Sequence, residues 1–409
     1  MKNTQPALSQ QHWPVVTFGF LALSLAFSGR AALGLVMPVW QEEFGWSSSY
    51  ISGVGAAALI VMAIVAPFAG RMVDKRGPRF TLNLGMGLLG IGCALVATMN
   101  GKVMFFIGFA GFAAIGFGIV ATHVVVTAVA RTFTTNTGLA TGIATSGATG
   151  GQFLIVPLIA SLLAFVSWRW SFGVLSIASL MLIPCILSSL KHNKGEGETQ
   201  SPQSNDKSSI GQDFSFIVRK PVFHALFWSF LICGFTTTGV IETHLLPFAS
   251  FCSFPPIPSA TAYGVLSGVN LLGMIAAGWL TDRVNRPLLL AAIYLLRSLS
   301  FILLGSLPGT TIEMLFVFAL FFGVVDYSTV PVTASLVASH VGLKVMGLAM
   351  GIISAGHALG GAMGAFLGGY VFDNTGNYDV LWVGSIWLAV SAALLVLFIP
   401  KSVPKTIPV

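Results

Sequence analysis

Residues 70–80, GRMVDKRGPRF, form a short basic loop wedged between two long apolar runs. The opening of that loop returns about half a chain later as residues 278–282, GWLTD, again followed by basic residues in Arg283 and Arg286. Two further anchors repeat at nearly the same shift. Met37-Pro38 matches Leu246-Pro247, and GLATG at 138–142 matches GLAMG at 347–351. A chain that repeats this way, with loops set between hydrophobic segments, is expected to be one membrane unit built twice.

The apolar runs fix the class. Of the 409 residues, 55% are hydrophobic and 8% charged, against about 25% charged in a soluble domain. The runs are too long for strands and lack the alternation of an outer-membrane barrel. Taking about 20 apolar residues per crossing, the sequence predicts an all-α membrane protein of about twelve transmembrane helices in two six-helix pseudo-repeats. In the first half they fall near 14–39, 49–70, 80–99, 103–130, 138–164 and 169–190. In the second they fall near 221–248, 260–280, 287–306, 311–338, 345–371 and 379–400. The expected organisation is an N-terminal half over 1–190, a polar cytoplasmic linker over 191–220 and a C-terminal half over 221–409. The core of the linker, KHNKGEGETQSPQSNDKSSIGQ, has almost nothing to bury.

The net charge of +7 reports orientation rather than a polyanionic partner. In this topology only Lys102 and Arg169 lie on one side, Arg30 and Arg297 lie within spans, and every other Lys and Arg lies on the opposite side. That side is the cytoplasm by the positive-inside rule. Both termini are expected there, in a multi-pass protein of the cell (inner) membrane that works as a monomer. No nucleic acid, fixed protein partner or cofactor is implied. The four cysteines, Cys93, Cys185, Cys233 and Cys252, show neither CxxC nor metal spacing. HExxH, GxSxG and P-loop patterns are missing as well, so the expectation is a carrier and not an enzyme.

These residues resemble the major facilitator superfamily. Its signature G-x-x-x-D-x-x-G-x-R between helices two and three is present as Gly70, Asp74, Gly77 and Arg79. A closer resemblance is to the branch of monocarboxylate porters and oxalate/formate antiporters. It is carried by QEEFGW at 41–46 with its following serines and by TGLATGIATSGATGG at 137–151. The resemblance implies a central site between two rocking halves. It also implies a cytoplasmic gate in which Asp74 caps a facing helix and pairs with an arginine, with Arg71, Arg79, Arg131 and the echo residue Asp282 as its other members. Animal-type monocarboxylate carriers hold an Asp and, four residues on, an Arg in helix eight. Asn270 and Met274 stand there in this chain.

Charges inside a bilayer are costly and mark function by default. Arg30 lies past the middle of helix one. It is suited to grip a carboxylate bidentately, or else to a permanent salt bridge with Glu242. Glu242, in IETHLLP of helix seven, is read three ways: closing the outer side with Arg30, carrying the coupling proton, or standing as a solvated loop acid. Asp326, in FFGVVDYSTVPVT, is the deepest acid, a proton site or an ion-pair partner of Arg30, with Pro331 a nearby hinge. His357 and His123 are candidates for substrate contact or proton relay, or for bonding a backbone carbonyl. Thr236, Thr237 and Thr238 make a polar turn that reaches substrate or bonds back to the helix, and Ser146 and Thr149 read alike. Arg297 falls on an outer support helix, where a structural or snorkelling role is expected.

The expected activity is secondary transport of a small organic anion, a carboxylate, by proton coupling or exchange. Arg30, His123, Thr237, Asp326 and His357 would bind it, and Asp326, Glu242 and His357 would carry the proton. The alternative is a proton-driven exporter of a drug-like or siderophore-like solute.

Overall fold

The computed structural model describes residues 13–190 and 209–401. The linker core over 191–208 and the tail beyond 401, both expected to be cytoplasmic, lie outside the described residues. Every described element is helical. In chain order they are α1 (Trp13–Phe44), α2 (Ser48–Ala97), α3 (Lys102–Thr132), α4 (Thr137–Leu163), α5 (Trp168–Ser189), α6 (Ile210–Val218), α7 (Pro221–Phe251), α8 (Pro256–Thr281), α9 (Arg286–Gly305), α10 (Ile312–His340), α11 (Met346–Thr375) and α12 (Asp379–Leu397). All but α6 are long and apolar enough to cross a membrane.

Helix α2 counts as two crossings. Its 50 residues would run about 75 Å at 1.5 Å per residue, more than twice the roughly 30 Å hydrocarbon thickness. It breaks at Gly77, whose φ of 78° and ψ of 171° leave the helical region, just before Pro78. A positive φ of that kind suits only glycine, which explains the second glycine of the signature loop. Counting both legs gives the twelve crossings expected.

Packing follows the repeat. One core cluster gathers residues between Val15 and Leu190. Two others gather residues of the second half, joined from the first by Val126 and the partly buried Ala130. Small residues let the helices approach, as in membrane bundles generally. Ser24 of α1, for example, donates its hydroxyl to the Gly147 carbonyl of α4 at 2.9 Å. The QEEFGW stretch folds into an aromatic cluster. Trp40 is fully buried, stacked on Phe172 and edge-on to Phe105 and Trp168. Glu43 accepts the Trp168 indole N–H and lies 3.7 Å from Arg169. Those residues therefore lock α1, α3 and α5 together at the end away from the basic loops.

Helix α6 occupies part of the stretch read as linker. Ser209 and Gln212 form a capping box at its start, and Asp213 pairs with Arg71 at 3.2 Å. A capping box satisfies two otherwise orphaned N–H groups reciprocally, so nine residues suffice here where an isolated helix of that length would fray.

The halves meet through α2 against α11 and α4 against α8, with α3 and α10 joining the contact from each side. That crossing pattern sets both the seal and the cavity described next.

Candidate functional site

The seal lies at the basic end. Asp74 projects from α2 across to the start of α11, where its two carboxylate oxygens accept the N–H groups of Gly347 and Leu348, each at 2.9 Å. Arg131, at the end of α3, donates to Asp74 Oδ1 at 2.7 Å and to the Leu343 carbonyl at 2.8 Å. A carboxylate at a helix N-terminus satisfies orphan donors and opposes the helix dipole. The guanidinium adds a charge-assisted bond that also spans the two halves. The backbones touch here: a Cβ on Gly70 would stand 1.9 Å from the Gly347 carbonyl oxygen, so only glycine fits.

The echo on the other side is weaker. Asp282, which caps the C-terminal end of α8, accepts the N–H groups of Gly138 and Leu139 at the start of α4, at 2.8 and 2.9 Å. The repeat position of Arg131 holds His340, whose Nε2 meets the Pro400 carbonyl instead. Of the other expected gate residues, Arg71 pairs with Asp213, while Arg79 makes no ion pair among the described residues.

Between the halves is a cavity of about 210 Å³. Three helices lose regular geometry around it. Helix α3 breaks at Val120 (φ −87°, ψ 70°), α10 breaks between Val325 and Thr329, and α7 widens into a π-helix over Phe235–Ile241. Irregular backbone at membrane depth is tolerated where it lines a cavity or is buried in protein. The break in α10 covers the turn before Pro331, where the proline withholds the i→i−4 donor from the Tyr327 carbonyl.

Phe27, Phe117, Phe230 and Met62 make much of the wall. Arg30, His123, Tyr327, His357 and several small hydroxyl residues supply its polar groups. Among the described lining residues, Arg30 carries the one permanent charge, and no carboxylate faces the space. Its guanidinium lies 4.7 Å over the Phe27 ring and makes no ion pair among the described residues.

The expected pairing of Arg30 with Glu242 is not formed. Glu242 is exposed, and its Oε1 accepts the Tyr327 hydroxyl at 2.8 Å. The pair needed α1 and α7 to close on one another, whereas the halves meet through other helices.

The alternative pairing of Arg30 with Asp326 is not formed either. Asp326 is buried in the second half and does not line the cavity. Its Oδ2 accepts from Asn270 Nδ2 at 2.9 Å, and its Oδ1 has no hydrogen-bond partner. Thr237 lies beside it, and its hydroxyl is likewise unpartnered.

Arg297 does not snorkel. It is fully buried and donates to Cys233 Sγ at 3.0 Å and Thr236 Oγ1 at 3.2 Å on α7, and to the Val325 carbonyl at 2.9 Å and the Asp326 carbonyl on α10. The carbonyls that α10 frees at its break are therefore capped from α9.

His123 is buried on the cavity wall. Neither of its ring nitrogens has a well-formed hydrogen bond, though the Ala66 carbonyl is close. His357 faces it from α11, beside Phe230 (5.0 Å between rings) and Cys233. Thr236 bonds back to the Ile232 carbonyl, and Ser146 and Thr149 likewise bond back within α4. That leaves them little to offer a ligand.

Sequence reasoning left out Asn270 and Tyr327 and gave Arg297 a passive place. Asn270 stood where the family's acid was missing, and Tyr327 is the next residue after Asp326. Both were signals of position alone.

The sequence matches the Major Facilitator Superfamily description over residues 19–342 and 260–408. It is 25% identical to Monocarboxylate transporter 13 of Rattus norvegicus over 403 residues, covering 97% of this chain and 91% of that protein. It is also 25% identical to the uncharacterized MFS-type transporter YcxA of Bacillus subtilis, over 96% of this chain and 97% of the other. In structure it is similar to the proton:xylose symporter XylE (TM-score 0.75, 15% identity, 97% of each chain covered). It is also similar to the E. coli fucose:proton symporter FucP (TM-score 0.74, 16% identity, 95% of this chain and 99% of that one). The chain belongs to the Major Facilitator Superfamily, on the branch of the monocarboxylate transporters, and is a secondary transporter of small organic solutes.

Proposed function

We propose that the solute is a small organic anion, a monocarboxylate, moved by alternating access with a proton or by exchange. The carrying observation is the cavity's charge: among the described lining residues, one guanidinium without an ion pair stands among apolar and aromatic walls, with no carboxylate. An unpaired cation at membrane depth is expensive, and a monoanion both neutralises it and leaves an apolar tail for Phe27, Phe117 and Phe230. His123 of α3 and His357 of α11 both line the cavity, one from each half, and their ring nitrogens can donate or accept. Asp326 and Glu242, in the second half, are the acids available for a coupling proton, and Thr237 lies beside Asp326 and off the cavity lining.

With the Asp74 seal made, this conformer is read as closed to the cytoplasm, where positive-inside orientation puts the basic loops. Asp74, Arg131 and Asp282 then act as gate residues, with Arg71 holding α6 against the gate and Arg79 as a loop cation.

The test is thermal stabilisation of purified protein by acetate, L-lactate, pyruvate and benzoate, since a ligand that binds the folded state raises its melting temperature. At least one should stabilise wild type and leave Arg30→Ala unmoved at equal concentration. A bidentate charge-assisted contact of this kind is worth about 1.5–3 kcal/mol, so affinity should fall roughly tenfold to a hundredfold.

A second reading rests on the apolar wall. If bulky apolar or cationic compounds stabilise the protein and carboxylates do not, the solute is a drug-like one and the chain exports it.

A further inference from the structure

Helix α3 is broken within its span, and its second segment, Thr122–Thr132, starts afresh there. Ala121 precedes it in an extended conformation (φ −125°, ψ 162°) and has no side chain to cap it. The first bonds of the new segment run from the Val124 and Val125 N–H groups to the Ala121 carbonyl. Among the described residues, the N–H groups of Thr122 and His123 make no hydrogen bond. Orphan donors of this kind belong to every helix start, but this start is on the cavity wall: Val120, Ala121, Thr122 and His123 all line the space. The other end of the segment carries Arg131 in the seal, so its N-terminus points away from the seal and toward the cavity.

The second half answers the same problem internally. At the break in α10 the Tyr327 N–H donates to Asn270, and Arg297 takes the Val325 and Asp326 carbonyls. At the half-chain shift the positions of Asn270 and Arg297 fall on Val61–Met62 and Leu88–Leu89, all apolar. The break in α3 therefore lacks the partners that serve its counterpart, and its start is left to whatever occupies the cavity. One side chain waits there in the same state: His123 is 1% exposed, and neither ring nitrogen has a well-formed hydrogen bond.

We infer that the start of this segment is the seat of the transported anion: the Thr122 and His123 N–H groups and the His123 ring hold its carboxylate, with Arg30 as the cation of the same cavity. This rests on the carboxylate reading and deepens it, because it places the solute's charged end against the backbone of the first half. A helix N-terminus offers aligned donors and the positive end of its dipole, and both favour an anion. Discontinuous helices in transporters turn such ends toward anionic groups. An ionised carboxylate has about four lone-pair positions, more than one guanidinium fills, so the backbone donors add to Arg30 rather than compete with it. Imidazole carries an N–H in either tautomer and can give it to the same group.

Proline removes a backbone donor with little disturbance at the first position of a helix, and the extended Ala121 already has the conformation favoured before proline. Benzoate binding to the purified full chain would be measured by calorimetry, and melting temperatures recorded without ligand. Thr122→Pro should bind benzoate about tenfold more weakly than Thr122→Ala, as loss of a hydrogen bond to a charged group does, and should melt no lower. The alanine variant takes away the hydroxyl alone, so the difference between the two reports the N–H. Ala121→Asn supplies the missing cap, whose side-chain oxygen accepts from the second or third N–H of the segment. It should melt above wild type and bind benzoate more weakly, a pairing that a merely structural role would not give.

Thr122→Pro that binds as Thr122→Ala does, or Ala121→Asn that gains stability with no loss of affinity, would overturn the seat. If binding still depends on Arg30, the carboxylate reading survives that result. If Thr122→Pro fails to fold, Ala121→Asn decides alone. Benzoate that fails to bind wild type, or binds Arg30→Ala equally, sinks the carboxylate site and the seat with it.

Discussion

Asp74→Ala is expected to open the basic end and to lower transport at least tenfold without unfolding the protein. The Asp74 carboxylate accepts two donors from across the gate, the Gly347 and Leu348 N–H groups of α11, and a third from its own half, the Arg131 guanidinium, which itself reaches across to the Leu343 carbonyl. Hydrogen bonds to a charged group are worth about 1.5–3 kcal/mol each, and solvent reaching the partly exposed Arg131 (25% for its side chain) discounts that one. A net change of about 2–4 kcal/mol against the closed conformer is a roughly 30- to 1,000-fold change in its equilibrium. A carrier must visit both conformers, so one locked away from this state cycles slowly.

Spin labels at Arg76 and Leu343, on either side of the seal, should report a longer and broader distance in Asp74→Ala. Asp282→Ala removes only two backbone bonds and has no arginine behind it. Labels at Thr135 and Val284 should therefore move less in that variant than the first pair does in Asp74→Ala. Equal responses at the two aspartates would contradict the asymmetry that places Arg131 on one side and His340 on the other.

How far the site was legible from sequence follows from what each residue needs. The fold was carried by local features. Apolar runs of spanning length, Gly77 before Pro78 and a repeat at half the chain each constrain backbone without reference to any distant partner. The Asp74–Arg131 contact was legible through the resemblance, whose loop pattern implies an aspartate that caps a facing helix and pairs with an arginine.

Partners deep in the bundle were not legible, because they depend on which helix faces turn toward one another. By the repeat shift Glu242 of helix seven matches Leu33, about one turn beyond Arg30 in helix one. Pairing them assumed a conformer closed at the far end, and this one is closed at the basic end. Arg297 was assigned to a support helix and so to the periphery. Its helix instead turns that residue inward, because α10 breaks at Asp326 and leaves carbonyls that only a cation or several donors can satisfy. Pro331 in FFGVVDYSTVPVT signals a disturbed turn before it, but not the partners, since Asn270 and Arg297 satisfy the freed groups from two other helices.

Arg297→Leu should therefore be the most damaging single change to stability in the second half. The guanidinium fastens α7 to α10 through Cys233, Thr236 and the two carbonyls at the break. Leucine fills part of the volume and satisfies none of them. Two carbonyls are left unpaired, and the nearby Asp326 loses the one cation packed against it. Breaking a buried, hydrogen-bonded charge arrangement from one side costs about 3–5 kcal/mol, enough to lower the melting temperature clearly in detergent.

Arg297→Lys should recover less than half of that loss. A single ammonium is a point donor, and its reach from α9 cannot serve both α7 and α10 as the planar fork does. Adding Asp326→Asn to Arg297→Leu should restore part of the stability, since it removes the charge left without compensation while keeping a group that Asn270 can bond. A double variant no more stable than Arg297→Leu would mean that the carbonyls, and not the acid, are what Arg297 supports. Arg297→Leu melting with wild type would mean that the break in α10 holds itself.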